Sequence, residues 1–245
     1  MSRRLTIGTA LTVAAASSLA TLGLASTHAS AETTLSPPPA SAFTAGRVTN
    51  PYFPLKPGTR WVYRGMENGT RTRDVVLATG QTFVIQGVTC RVVRDRLYEH
   101  GRLAERTRDY YAQTKTGTVW YFGEDTAELD KNGKVTSTEG SFRSGRDGAR
   151  AGIFMPAVPR VGFTAAQEQF PGQAEDRFRI LSLEAAHSVP LLSTTHAMLT
   201  KEWTPLEPNV VDHKFYVRDV GMIGEATVKG PVEIGVLVAV QHVKV

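Results

Sequence analysis

The stretch VTCRVVRDRLYEHGRLAERTRDYYAQ, residues 88–113, decides the fold of this chain. It contains two long runs of strand-forming residues on either side of His100-Gly101. A glycine at the second position suits the positive φ that a two-residue hairpin turn requires. With that turn, Arg96 faces Glu105, and the opposite charges meeting across the ladder support the register. The stretch therefore predicts a long antiparallel hairpin.

Turn signals recur outside this hairpin at short intervals, as at Asn68-Gly69 and Asn132-Gly133. The residues between them are rich in aromatic and β-branched types, which is typical of an antiparallel meander. Long sheets curl because strands twist and exposed edges need protection. We therefore predict an all-β domain, an antiparallel meander curled into a barrel or half-barrel, with little helix. The best helical candidate, 181–187, suits a strand equally well, and the last strand, 232–245, is apolar enough to be buried on both faces.

The composition changes twice along the chain. Residues 1–31 begin with two arginines, continue with an uncharged apolar run and end in Ala-Ser-Ala, which indicates a signal peptide. A twin-arginine signal and an uncleaved anchor are the open alternatives. Residues 32–49 contain three consecutive prolines and predict a flexible leader, and residues 50–245 predict a single β domain. A cleaved signal implies a secreted protein, extracellular or in the cell envelope, without a stable membrane anchor.

Charge and cysteine content narrow the class of protein further. The chain has 28 basic and 23 acidic residues, interleaved along the sequence, with a formal net charge of +5. Nucleic-acid binders concentrate their basic residues, so we expect no nucleic-acid partner. Cys90 is the one cysteine, which excludes an internal disulfide, and its alternation with Val88 and Val92 predicts a buried thiol. Gly140–Pro159, with several glycines and arginines, predicts a mobile loop.

Sequence signatures of catalysis are absent. The chain has no G-x-S-x-G, Walker loop, dinucleotide fingerprint, H-E-x-x-H or paired CxxC, so we expect no cofactor and no metal. Asp130-Lys131-Asn132-Gly133 resembles the start of a calcium loop, but Ser141 stands where the twelfth-position glutamate belongs. Paired carboxylates from Glu124, Asp125, Glu175 or Asp176 leave a hydrolase open as an alternative.

The second strand of the hairpin predicts the candidate site. Glu105, Asp109 and Tyr111 share one of its faces, and neither face is apolar enough for an ordinary core. Buried acids need partners, and the predicted register offers them Arg96 and Arg94. We therefore expect a wet, charged cavity wall, the alternative being a hairpin that projects into solvent. The predicted ligand-binding residues are Arg94, Arg96, Glu105, Asp109, Tyr111, Glu124, Glu175 and His213.

Three segments carry a resemblance to known proteins. NPYFPL (50–55), VWYFGEDT (119–126) and KEWTPLEP (201–208) resemble those of a group of uncharacterised secreted bacterial proteins. The resemblance covers the chain from about residue 50 onward. It implies a bacterial extracellular or envelope protein and transfers no catalytic residue. Residues 215–223 are also similar in pattern to the last strands of curved-sheet periplasmic lipoprotein carriers.

Three functions fit these observations. The first is a non-enzymatic secreted protein that binds a small molecule or lipid in a cleft of the curved sheet. The second is a carboxylate-dependent hydrolase, which three or more converging carboxylates would favour. The third is a cell-wall interaction protein that binds through Arg143–Arg150. The oligomeric state is open.

Overall fold

The structure, a computed structural model, describes residues 35–245. The predicted signal peptide, residues 1–31, lies outside the described residues. After a single 3-10 helix, Ala40–Ala42, every regular element of the described chain is a strand. The strands are β1 (Thr49–Asn50), β2 (Phe53–Pro54), β3 (Thr59–Glu67), β4 (Thr70–Ile85), β5 (Val88–Glu99), β6 (Arg102–Gln113), β7 (Val119–Leu129), β8 (Val135–Ser137), β9 (Phe142–Arg143), β10 (Arg150–Met155), β11 (Thr164–Ala166), β12 (Glu168–Gln169), β13 (Arg177–Val189), β14 (Leu192–Trp203), β15 (Val211–Val217), β16 (Gly221–Lys229) and β17 (Glu233–His242).

The predicted all-β fold is confirmed, and the meander is an antiparallel sheet nearly closed into a barrel. The sheet runs in the order β11-β13-β14-β15-β16-β17-β3-β4-β5-β6-β7-β10-β12. Its two edges are formed by neighbouring pieces of chain, since β11 and β12 are separated by Gln167 alone. The backbone N–H groups of Gln167 and Glu168 both donate to the Asp176 carbonyl oxygen, at 2.7 and 3.2 Å. We call residues 164–169 the closing segment, because they join both edges of the sheet.

The organising hairpin has the predicted strand limits, but most of its register differs from the prediction. His100 and Gly101 both have positive φ (50° and 80°), as the two-residue turn requires. Beyond the turn, Leu97 pairs with Glu105 and leaves Ala104 as the extra residue of a β-bulge. From the bulge onward every side chain of β6 is shifted by one position against β5. The predicted pairing of Arg96 with Glu105 is therefore wrong.

One end of the barrel is covered by the segment before β3. Asn50 anchors this segment: its side-chain amide donates to the carbonyl oxygens of Gly117 and Pro156, both at 3.0 Å. Tyr52 and Phe53 are then buried, and the Phe53 ring lies 4.9 Å from that of Tyr111. Aromatic side chains thus fill this end of the barrel.

The structure corrects three predictions about local order. The leader is not flexible throughout, because Phe43 and Val48 are buried and the Phe43 ring packs on Phe122. The predicted mobile loop 140–159 contains β10, whose residues 151–155 are buried in the sheet. The last strand is not buried on both faces, because Ile234 and Val240 on β17 are 44 and 40% exposed.

The outer part of the β13–β14 hairpin, residues 182–197, lies against the outer face of the sheet, and we call it the arm. The ring of His187 stacks on Phe215 of β15, with centroids 3.7 Å apart. The His187 ring also packs against Gly224, because a Cβ added at this glycine would lie 2.6 Å from His187 Nε2. Register shifts interrupt the pairing of β13 with β14, and such bulges bend strands. The arm ends near Pro190, beside the outer surface of β17.

Candidate functional site

The strands of the barrel carry opposite charges on their two faces. On β4, Asp74 is 1% exposed and faces the interior, whereas Arg71 and Arg73 on either side of Thr72 are exposed outside. The same alternation on β5 places Asp95 inside and Arg96 outside. Because successive side chains of a strand point to opposite faces, the barrel has an acidic interior and a basic exterior. The buried carboxyl groups of the described chain are Glu67, Asp74, Asp95, Glu105, Asp109, Glu124, Glu168, Asp176, Glu202, Asp212, Glu225 and Glu233.

Five of the interior carboxyl groups have raised pKa values. Burial raises the pKa of Asp74 to about 7. Burial also raises the pKa values of Asp109 and Glu124. Asp95 and Glu105 raise that of Asp109 further, and Asp109 raises that of Glu124. The same two causes act on Glu168, beside Asp176, and on Glu233, beside other acids. In each of these groups burial therefore favours the protonated, neutral form over the buried charge.

A tyrosine joins two of these acids. The Tyr121 hydroxyl lies 2.8 Å from Asp109 Oδ1 and 2.9 Å from Glu124 Oε2. A phenol has one hydrogen and can donate to only one of the two oxygens. The second contact is a hydrogen bond when the other carboxyl is protonated and donates to the phenol oxygen. The geometry therefore agrees with the raised pKa values of the pair.

One basic side chain of the described residues is buried with the acids. Lys214 of β15 places its Nζ 3.0 Å from Glu202 and 3.8 Å from Glu225. Burial opposes its charge, but the two carboxylates together raise the pKa of Lys214 above its ordinary value. Thr200 also donates to Glu202, at 2.9 Å. The Lys214–Glu202 ion pair is thus built into the barrel wall, with both Glu202 oxygens engaged.

A groove on the outside of the barrel has a different chemistry. Its volume is about 690 Å³, and its floor is formed by aliphatic side chains of β3, β4 and β17. A second hollow of about 650 Å³ continues it, sharing Arg64, Arg73 and Val236. We call the two together the outer groove. Its lining includes Val62, Val75, Val236, Val238, Met66 and Ile234 on the floor, and Arg60, Arg64, Arg71 and Arg73 as the charged residues.

The arm forms one wall of the outer groove. Pro190 lines the groove together with Val236 and Val238. The stacking of His187 on Phe215 holds the arm in this position. At the far end the Arg73 guanidinium lies 4.3 Å from the centre of the Tyr98 ring. An aliphatic floor, a wall and fixed cations are the parts of a site for an apolar ligand with an anionic group.

The eight predicted ligand-binding residues do not form one site. Glu105, Asp109 and Tyr111 are together in the interior, as their shared face predicts, and Glu124 of β7 is buried there as well. The predicted pairing of Arg94 and Arg96 with them is wrong, because the bulge at Ala104 leaves both arginines opposite other arginines outside. Glu175 and His213 also lie apart from these acids, as follows.

The contacts of Glu175 and His213 are those of residues that support the fold. Glu175 accepts a hydrogen bond from the Gly172 N–H at 2.7 Å and closes a turn, while its neighbour Asp176 is buried. His213 is half-buried beside the inward-facing Asp212 and Lys214, and burial lowers its pKa.

The residues of the outer groove are not among those predicted from the sequence. The signal was present in the same-face series Arg60-Val62-Arg64 on β3 and Arg71-Arg73-Val75 on β4. Each series occupies one face of its strand and combines arginines with valine there. The location of the groove depends on the arm, which comes from a distant part of the chain and which no local pattern identifies.

Two kinds of feature are absent from the described residues. Within residues 35–245, no three His, Cys, Asp or Glu side chains are arranged to hold a metal ion. Likewise, this part of the chain contains no helix with the length and hydrophobicity needed to span a membrane.

Comparisons with known proteins found distant structural similarity only. No protein-family model matches the chain, and no curated protein matches it. A protein of Bacteroides fragilis, provisionally described as exported and YmcC-like in fold, is similar with a TM-score of 0.36 and 11% identity. A protein of Parabacteroides distasonis, provisionally described as a lipoprotein, has a TM-score of 0.39 and 9% identity. Each alignment covers 78% of this chain and 98% of the other. The function is therefore argued from the residues of this chain.

Proposed function

We propose that this protein is an exported, non-enzymatic binding protein that holds an anionic amphiphile in the outer groove. The observation that carries the proposal is an aliphatic floor and a row of arginines in one groove. The cleft is thus on the outer face of the curved sheet, whereas the sequence favoured the inner face. The expected signal peptide supports export.

The dimensions and chemistry of the groove suit such a ligand. A volume of about 690 Å³ lies within the range of roughly 300–1,000 Å³ found for small-molecule sites. The floor residues Val62, Val75 and Val236 offer apolar contact to an alkyl chain. Arg64 and Arg73, directly opposite each other on β3 and β4, offer a fork of donors to a carboxylate or phosphate.

Like charges opposite each other in a sheet are unfavourable, and an anion between them removes the repulsion. The pair Arg64–Arg73 therefore favours an occupied groove over an empty one. A hydrolase is less well supported, because the converging carboxyl groups are buried inside the barrel. The buried Asp109, Glu124 and Glu168 are about 1% exposed, which leaves a substrate no contact with them.

The test is competition between two ligands with the same chain and different charge. A dansyl-labelled fatty acid serves as the fluorescent probe, and dodecanoate and dodecanol serve as competitors. We expect dodecanoate to displace the probe at a concentration about tenfold lower than dodecanol, because only the anion pairs with the arginines. The double variant Arg64→Gln/Arg73→Gln should remove this preference.

Two further variants define the outcome. Val236→Asn, which makes the floor polar, should weaken both competitors, and Arg160→Gln, on an exposed loop, should weaken neither. Equal displacement by dodecanoate and dodecanol, or wild-type preference in the double arginine variant, would contradict the proposal.

A further inference from the structure

A second basic surface lies on the outer face of β5 and β6, and the outer groove does not include it. Arg94 pairs directly with Arg108 across the two strands, and Arg96 pairs directly with Arg106. We call these four residues the arginine quartet. They line a hollow of about 360 Å³ together with Asp125 and Thr126 of β7.

The quartet is poorly neutralised by the protein itself. Asp125 is a half-exposed acid in the lining of the hollow, and it is engaged by Arg143 at 2.6 Å and by the Tyr110 hydroxyl. Arg108 reaches Asp125 only at 3.9 Å. No acidic partner of Arg96 or Arg106 is found within residues 35–245. The fold therefore keeps two like-charged cross-strand pairs, each of which destabilises the sheet.

The spacing of the quartet indicates several anionic groups in one ligand. Paired residues on neighbouring strands lie about 5 Å apart, and residues two apart along a strand lie about 7 Å apart. The four guanidinium groups therefore start from the corners of a small rectangle. Guanidinium groups bind phosphate through two parallel hydrogen bonds, so adjacent phosphates can each be held by one arginine pair.

The surroundings of the quartet distinguish a soluble polyanion from a lipid surface. Stable peripheral membrane binding usually combines basic residues with large apolar side chains that enter the bilayer beside them. The lining of the quartet hollow contains no exposed large hydrophobic residue: apart from the quartet it consists of Asp95, Thr107, Asp125, Thr126 and Ala127. From this geometry we infer that the arginine quartet binds a soluble ligand carrying two or more phosphate groups.

Binding to the full-length protein tests this inference. Titration calorimetry with inositol hexakisphosphate should give binding that weakens as salt is added, because exposed charges are screened. Inorganic phosphate should bind at least about tenfold more weakly, since it occupies only one arginine pair. Arg96→Gln/Arg106→Gln should weaken hexakisphosphate binding by about tenfold or more and should leave the melting temperature unchanged or higher, because it removes one repulsive pair.

Matched variants separate this site from the outer groove and from general charge. Arg160→Gln should bind hexakisphosphate as the wild type does, and so should Arg64→Gln/Arg73→Gln. Arg96→Gln/Arg106→Gln should in turn bind dodecanoate as the wild type does. The tests of the two sites are therefore independent of each other.

Three results would overturn the inference. The first is that Arg96→Gln/Arg106→Gln binds hexakisphosphate as tightly as the wild type. The second is equal affinity of the wild type for inorganic phosphate and hexakisphosphate. The third is binding to phosphatidylglycerol vesicles that Arg96→Gln/Arg106→Gln abolishes and that hexakisphosphate does not compete away, which would assign the surface to a membrane.

Discussion

Replacing Asp74 by Asn should make the protein more stable at neutral and alkaline pH. Burial raises the pKa of Asp74 from 3.8 to about 7, so the folded state binds this proton more tightly than the unfolded state. Below pH 3.8 the carboxyl is protonated in both states and does not affect the free energy of unfolding. Between pH 3.8 and about pH 7 the free energy of unfolding falls as the pH rises, and above about pH 7 this loss of stability is complete.

The size of the effect follows from the two pKa values. One pKa unit corresponds to about 1.4 kcal/mol, and a difference of about three units gives about 4 kcal/mol. Asparagine has nearly the same shape, carries no charge and can still hydrogen-bond the neighbouring Asp95. Asp74→Asn should therefore raise the unfolding free energy by about 4 kcal/mol at about pH 8, and should change it little at about pH 4.

Urea unfolding followed by tryptophan fluorescence at both pH values measures this difference. Asp147→Asn is the matched control, because it removes the same charge from an exposed turn and should act equally at both pH values. Asp109, Glu124, Glu168 and Glu233 also have raised pKa values and lower the stability of the wild type in the same direction. Comparison of the variant with the wild type isolates Asp74. A variant less stable than the wild type at about pH 8 would refute this reasoning.

Three further predictions concern the barrel itself. Gly152→Ala should destabilise the protein by about 3 kcal/mol or more in thermal or urea unfolding, since the new Cβ would lie 2.3–2.4 Å from backbone oxygens of the closing segment. Gly80→Ala is the control and should cost nothing, because the nearest atom to its new Cβ would be 3.7 Å away. Equal effects of the two substitutions would argue against a closed barrel. Cys90 is buried, and burial raises its pKa to about 12, so a disulfide reagent should react promptly only after denaturation; fast reaction of the native protein would contradict its burial. Lys214→Met should cost about 3 kcal/mol by leaving two buried carboxylates without a counter-charge, whereas Lys131→Met on an exposed turn should be neutral in the same unfolding assay.

The strands were predictable where the turn chemistry was explicit. The turn at His100-Gly101 fixes the ends of β5 and β6 because both positions need positive φ and the flanking runs have strand composition. The extra residue at Ala104 carries no such signal, since alanine is compatible with either side of the sheet. It is explained by burial instead. The predicted register would place Arg94 and Arg96 inside the barrel beside Glu105 and Asp109. The desolvation cost of burying two cations there can exceed what their pairing with these acids returns.

The candidate sites were predictable only in part, for a related reason. Strand alternation correctly places Glu105 and Asp109 on one face, but an interior lined with acids does not differ in pattern from a solvated face. Which face is interior depends on how the sheet closes, and closure depends on the distant closing segment. The outer groove likewise depends on the arm, which is joined to β3 and β4 only through the sheet.

The buried acids also change what the net charge of this chain means. The formal value of +5 counts every carboxyl as ionised. Asp109, Glu124, Glu168 and Glu233 have pKa values raised well above the ordinary range, and that of Asp74 is about 7. These groups contribute less negative charge at neutral pH than the formal count assumes. Because they lie inside while the arginines lie outside, the surface that a ligand meets is more basic than the interleaved sequence indicates. An excess of basic charge at the surface is what the outer groove and the arginine quartet require to attract anions from solution.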